Sequence, residues 1–199
     1  MRKTCSAFVI VMFIFSAQIA HAEERHLWDS VQLMASVNVS GEVVEDISIV
    51  GSAAILWNMT NMNVVGLLYQ GGGFQISDWY VVNVMATMAV NFPSQDMWSA
   101  GISIWQSFNF FNGLLTAFVE TDMFFHSEGF TFFGLYTFNI HPFNFMNFGF
   151  RMEQVDNSLA LGPCLSFSEG VFNILLQHFS TVTADSNSTA LRISLGFNF

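Results

Sequence analysis

The segment Gln177-His178-Phe179-Ser180 places a histidine and a serine two residues apart. On an extended strand that spacing puts both side chains on one face, side by side. There an imidazole can take the proton of a hydroxyl and make it a nucleophile. The plainer reading of the same pair is two polar groups at a membrane interface that carry no chemistry, since polar groups on a lipid-facing strand are tolerated near its ends. A second set is ionic. Glu120, Asp122, Arg151, Glu153 and Arg192 lie on the face opposite the large apolar residues of their own segments. Charges enclosed in this way must be paired. They read either as a structural polar network filling a narrow lumen or as a gate or selectivity zone for small solutes. Other chemistry-bearing residues are scattered. His26, His126, His141 and His178 stand singly, and Cys164 has no second cysteine beyond Cys5 near the start. No zinc spacing results, and no intramolecular disulfide once the leader is gone. Gly71-Gly72-Gly73 lacks the lysine and helix of a phosphate-binding loop. No metal and no cofactor are expected.

The elements that must hold these residues show a period of two. In the last segment Leu191, Ile193, Leu195, Phe197 and Phe199 point one way, and Arg192, Ser194, Gly196 and Asn198 the other. Segment 143–153 puts Met146, Phe148, Phe150 and Met152 outward and Asn147, Gly149, Arg151 and Glu153 inward. Further strands are expected over 46–57, 63–76, 80–91, 98–109, 113–124, 129–140, 158–167 and 171–182. Short turns fall near 77–79, 110–113, 140–143 and 168–170, and longer polar loops near 92–97, 122–129, 153–158 and 181–189. The count is about ten. Residues 31–40 alternate as well and would make eleven, but bacterial single-chain barrels have even numbers. Either 31–57 is one long bent strand or the number is eight or twelve. Trp105, Phe118, Phe133 and Leu135 fall on the inward parity, which predicts a partly plugged lumen rather than a wide aqueous pore.

Composition agrees with strands that face lipid. Hydrophobic residues make up 52% and charged residues 10%, against about 25% charged in an ordinary soluble domain. Mean hydropathy is +0.46, yet beyond residue 22 no apolar run approaches the ~20 residues of a spanning helix. The formal charge is −10, with five Lys+Arg in all, so nucleic-acid binding has no basic stripe to work with. Residues 1–22 read as a secretory signal: Arg2 and Lys3, the apolar stretch Ala7–Ala17, and the Ala20-His21-Ala22 cleavage site. Residues 23–199 are then expected to form a single all-β domain, a transmembrane antiparallel up-and-down β-barrel in the outer membrane. Its partners would be outer-membrane lipid or lipopolysaccharide and the barrel assembly machinery, with Phe199 as the assembly signal. The longer loops would lie outside the cell and the C-terminus in the periplasm.

The His-aromatic-Ser of 178–180, one strand before the last, resembles the lipid A deacylase family of eight-stranded outer-membrane esterases. The texture is similar over roughly 80–199, including Ala100–Trp105, Gly113–Thr116, His141-Pro142-Phe143, Leu161-Gly162, Leu165–Phe167 and the Gly170 turn. The resemblance implies Ser180 as nucleophile, His178 as its base, and a glutamate on the final strand to orient the histidine. Thr189 stands at that last position, and the nearest carboxylate is Asp185. The residue after the serine, often Asn in that family, is Thr181. Residues 23–79 have no counterpart in it. Two functions follow as expectations. The first is a non-enzymatic barrel, either a narrow channel or a structural surface protein. The alternative is an esterase acting on lipid A.

Overall fold

The computed structural model describes residues 31–60, 62–92, 98–127, 129–182 and 189–199. The expected leader, Asp185 and the middle of the 92–97 loop lie outside them. Eleven strands follow one another: β1 (Val31–Val44), β2 (Ile47–Asn58), β3 (Asn63–Ser77), β4 (Tyr80–Phe92), β5 (Trp98–Phe110), β6 (Leu115–His126), β7 (Gly129–Phe143), β8 (Met146–Val155), β9 (Ser158–Glu169), β10 (Phe172–Thr181) and β11 (Thr189–Asn198). Each pairs antiparallel with the next, and β1 closes on β11 to complete the barrel. Among the described residues no helix is long and apolar enough to cross a membrane.

The strands fall where the alternation places them, and the all-β barrel class holds. The number is eleven rather than about ten because 31–57 is a hairpin, not one bent strand. Glu45 and Asp46 turn the chain between β1 and β2, with Asp46 at φ 65°, a left-handed conformation that aspartate tolerates better than most residues. With strands alternating in direction, an odd count makes the first and last run the same way, so the seam must be parallel. It is, from Val31↔Leu191 through Asn38↔Asn198.

Two of the expected long loops are tight turns. β6 continues to His126 and β8 to Val155, because the polar residues near these ends face the lumen from within strands. The second turn uses Asp156 at φ 49°, and its Oδ1 accepts from Phe132 N at 2.8 Å. All the connections at the other end, following β1, β3, β5, β7 and β9, are short.

The outward face is apolar and open. Ile55, Leu68, Ile102, Phe138 and Phe150 are among its exposed side chains. At the short-turn end it carries aromatic clusters: Trp79, Tyr80, Phe108 and Phe110 stack with ring centroids 4.7 Å apart for Tyr80–Phe108 and 6.0 Å for Trp79–Phe110. Phe143 lies 5.6 Å from Phe145, and Phe172 5.5 Å from Phe197. Toward the other end Phe125 pairs with Phe130 across β6 and β7, both exposed.

Candidate functional site

An eight-stranded barrel is about filled by ordinary side chains, so eleven strands need long ones. The lumen has them at mid-height. Glu120 and Asp122 enter from β6, Arg151 and Glu153 from β8, and Arg192 from β11, and alternation turns all five inward. Gln177 on β10 and Ser103 on β5 are fully buried there, and Asp122 is 1% exposed.

These groups form two linked halves. In one, Arg192 binds Glu153 through both terminal nitrogens, the Nη2–Oε2 contact being 3.1 Å. Its Nε donates to Gln32 Oε1 of β1 at 2.8 Å, and its guanidinium lies 4.9 Å from the centre of the Phe179 ring. Bidentate geometry of this kind is the strong form of the ion pair. Arg151 stands 3.6 Å from the same Glu153. With the Gln177 amide turned so that its oxygen faces the guanidinium, that oxygen accepts from Arg151 Nε at 2.7 Å and Nη1 at 3.2 Å. In the other half, Tyr69 of β3 reaches across the lumen and donates to Asp122 Oδ2 at 3.1 Å. Ser103 donates to Asp122 Oδ1. Glu120 joins the halves, in electrostatic contact with Asp122, Tyr69 and Arg151. Tyr69 packs on Trp105 at 5.0 Å, and Trp105 meets Phe118 edge-on at 5.9 Å.

All five charged residues singled out from the sequence are therefore brought into one network. Alternation alone did not point to Tyr69, Ser103, Gln32 or Gln177, which complete it. Their inward parity was readable, but uncharged residues gave no reason to group them across the lumen.

The network is capped toward the end where β1 begins. Phe124 and Phe179 are buried inward side chains there, 9% and 4% exposed, while Leu135 stands within the network, opposite both Glu120 and Glu153. Polar side chains and, beyond them, buried aromatic rings narrow the lumen at mid-height among the described residues.

His178 and Ser180 stand on the opposite, outward face of β10, as expected. Ser180 is paired with Thr189 on β11 and Leu161 on β9, and His178 with Leu191. The β9–β10 ladder skips the stretch beside His178, where Pro163 has no N–H to give. Among the described residues neither side chain has a hydrogen-bond or ion-pair partner. Leu161, Leu176, Leu191 and Ile193 surround the pair by register, and none of them is a carboxylate. The geometry gives two polar groups side by side, without the third member that would orient the imidazole. Asp185 lies outside the described residues. Cys164 is buried in the lumen and donates to Asn139 Oδ1 at 3.6 Å.

No family model matches the chain, and no curated protein matches it either. The likeness to the lipid A deacylases thus has no support beyond its short motifs. What fold and site together define is a closed β-barrel with an apolar exterior and an ion-paired lumen.

Proposed function

We propose that the chain is an integral outer-membrane β-barrel, inserted after loss of a leader near Ala22, and that it acts as a non-enzymatic structural or surface protein rather than a conducting channel. The observation that carries this reading is the mid-height network: Arg192–Glu153–Arg151–Gln177 on one side and Tyr69–Asp122–Ser103 on the other. A solute path would have to break ion pairs in a poorly hydrated space. Membrane placement is supported by the exposed apolar exterior and its aromatic end clusters, since aromatic girdles mark the interfaces of barrels in lipid. Strands of 10 to 15 residues reach or exceed the about 9–11 needed to cross when tilted.

The test is conductance. Purified protein in planar bilayers should show no steady ion current in its wild-type form. A stable unitary current would replace the structural reading by the narrow-channel one.

A second reading rests on the shared outward face of His178 and Ser180. In it Ser180 attacks an ester of lipid A, His178 takes the hydroxyl proton, and the same imidazolium returns it to the leaving alkoxide. Lipid A from cells expressing wild type, Ser180→Ala or empty vector distinguishes the two. Loss of an acyl chain with wild type alone would establish the esterase, and three identical profiles would leave the non-enzymatic barrel.

A further inference from the structure

The polar members of the outward face are mostly accounted for. Tyr80 donates to Gln106 Oε1 at 2.9 Å, Thr121 to Ile104 O at 3.4 Å, and Gln154 to Asp156 O at 2.9 Å. His178 and Ser180 stand toward the end of β10. The Tyr136 phenol lies back along its own strand, its hydroxyl 3.0 Å from where a methyl on Gly134 would be, and an aromatic ring with one polar tip suits a lipid surface. Gln70 fits none of these cases. It is the central residue of the fifteen in β3. Alternation with the inward, buried Tyr69 turns it outward, and its side chain is exposed. Among the described residues its amide has no hydrogen-bond partner. We propose that Gln70 is the contact point of a homodimer in the membrane, formed by two copies of this barrel meeting through the exteriors of β2, β3 and β4. The proposal rests on the outer-membrane placement given above.

The first argument is depth. A primary amide carries two N–H donors and a carbonyl acceptor. Water reaches such a group near a strand end, but halfway along a strand that crosses a bilayer it would face hydrocarbon, which can satisfy none of them. Polar side chains at that depth are therefore met by polar side chains of a neighbouring membrane segment.

The second is shape. The direct partners of Gln70 are Gly51 on β2 and Ala86 on β4, and Ala86 is the central residue of the thirteen in its strand. Ala53 follows Gly51 on the same face and is exposed, as is Ala86. Midway along other strands the outward positions carry Ile104, Phe150, Leu176 and Ile193. Gly134, an outward glycine on β7, is covered by the Tyr136 ring. The Gln70 amide thus stands in a shallow part of the exterior, with Leu68 and Met88 exposed beside it. Small residues around a polar one are what let two membrane surfaces approach closely enough for a hydrogen bond.

The third is self-complementarity, and it selects the occupant. Two copies inserted the same way up are related by a two-fold axis along the membrane normal, which brings each residue to the level of its own counterpart. With Gln70 beside that axis, the Oε1 of each amide accepts from the Nε2 of the other. Two hydrogen bonds form and both carbonyls are satisfied. A lipid tail offers neither donor nor acceptor, whereas a second copy brings both to the required depth.

The test uses the full chain in two settings. It is first reconstituted in phosphatidylcholine vesicles and floated, which shows that it enters the bilayer. Gln70→Cys should then form a disulfide-linked dimer on mild oxidation. Phe150→Cys, exposed on β8, and wild type, whose Cys164 is buried, should not. In neutrally buoyant detergent micelles, sedimentation equilibrium should show a wild-type dimer. Gln70→Leu should weaken it by about tenfold, as loss of the paired amides requires. Ala86→Phe keeps the amide but holds the surfaces apart, and should weaken it by about tenfold as well. Both variants add only apolar surface to a lipid-facing wall, and heat-modifiable gel mobility checks that they fold. A wild type that floats with the vesicles but sediments as a monomer would overturn the dimer alone. So would dimerisation unchanged in both variants, or cross-linking as efficient through Phe150→Cys as through Gln70→Cys. A chain that does not float with the vesicles would overturn the membrane placement and the dimer with it.

Discussion

Removing the Arg192 guanidinium tests whether the lumen is held by its charges or merely contains them. In Arg192→Ala the carboxylate of Glu153 loses both bidentate contacts and keeps only Arg151 at 3.6 Å. Gln32 loses its 2.8 Å donor, and Phe179 loses the cation over its ring. The side chains of Arg192 and Glu153 are 10% and 11% exposed, so water screens the pair poorly. Breaking a buried pair from one side costs about 3–5 kcal/mol, because the remaining charge stays enclosed. The surviving Arg151 contact places the expected loss near the lower figure, about 3 kcal/mol. Replacing both partners, Arg192→Leu with Glu153→Leu, takes the stranded charge away. The double variant should therefore be more stable than Arg192→Leu alone, by about 1–2 kcal/mol. Urea unfolding of the barrel in lipid vesicles, followed by tryptophan fluorescence, reads both quantities. A single variant within about 0.5 kcal/mol of wild type, or a double variant whose loss equals the sum of its singles, would refute the argument that these charges depend on one another.

Arg151→Ala should also destabilise the barrel or raise its conductance in planar bilayers, since Gln177 loses two bonds and Glu153 one ion pair; wild-type stability together with wild-type silence would count against the network. Tyr69→Phe removes one of the two hydroxyl donors to Asp122 and should cost about 1–2 kcal/mol in the same unfolding assay, with no loss refuting a role for that bond. Deleting Phe199 should lower the yield of heat-modifiable folded barrel in the outer membrane, and unchanged assembly would show that the terminal aromatic is not a signal. An epitope inserted at Asp185 should be labelled on intact cells, while labelling only after the outer membrane is opened would reverse the orientation.

Period two was enough to place the strands because one face of each is apolar and open while the other is enclosed. A shift by one residue would exchange the faces. The same parity put Glu120, Asp122, Arg151, Glu153 and Arg192 inside and His178 and Ser180 outside. Alternation does not carry the partner across the lumen. That Tyr69 meets Asp122, three strands on, depends on barrel size and strand stagger, and neither is a property of any one segment. Turn lengths were misread for a related reason. Polarity near 122–129 and 153–158 belongs partly to residues facing the lumen, and a polar residue in a strand looks like a polar residue in a loop. The Glu45-Asp46 turn was hidden by the apolar residues flanking it, Val43, Val44 and Ile47, which keep the 31–57 stretch looking continuous.

The odd strand number changes what the seam must do. Its pairing is parallel, slightly weaker per residue than the antiparallel ladders elsewhere, and nothing covalent joins β1 to β11 locally to set the register as a turn does for each hairpin. Two inward clasps cross it: Gln32 with Arg192 at 2.8 Å and Asn38 with Asn198 at 2.9 Å. Both residue pairs are directly opposed in the ladder. A slip of two residues along the seam would preserve every inward and outward face, so hydrophobic patterning cannot prevent it. It would, however, strand Arg192 from Gln32 and Asn198 from Asn38. Arg192 thus serves two ends at once, tying the closing strands in register and neutralising Glu153 across the lumen. The parallel seam also puts Val31 at the opposite end of the barrel from Asn198, beside the turn after β2, where Met59 N meets Val31 O at 2.9 Å. Barrels with even strand counts close antiparallel and bring both ends of the chain to one side. Here β1 begins and β11 ends on opposite sides of the barrel, so in a membrane Val31 and Asn198 would face different compartments.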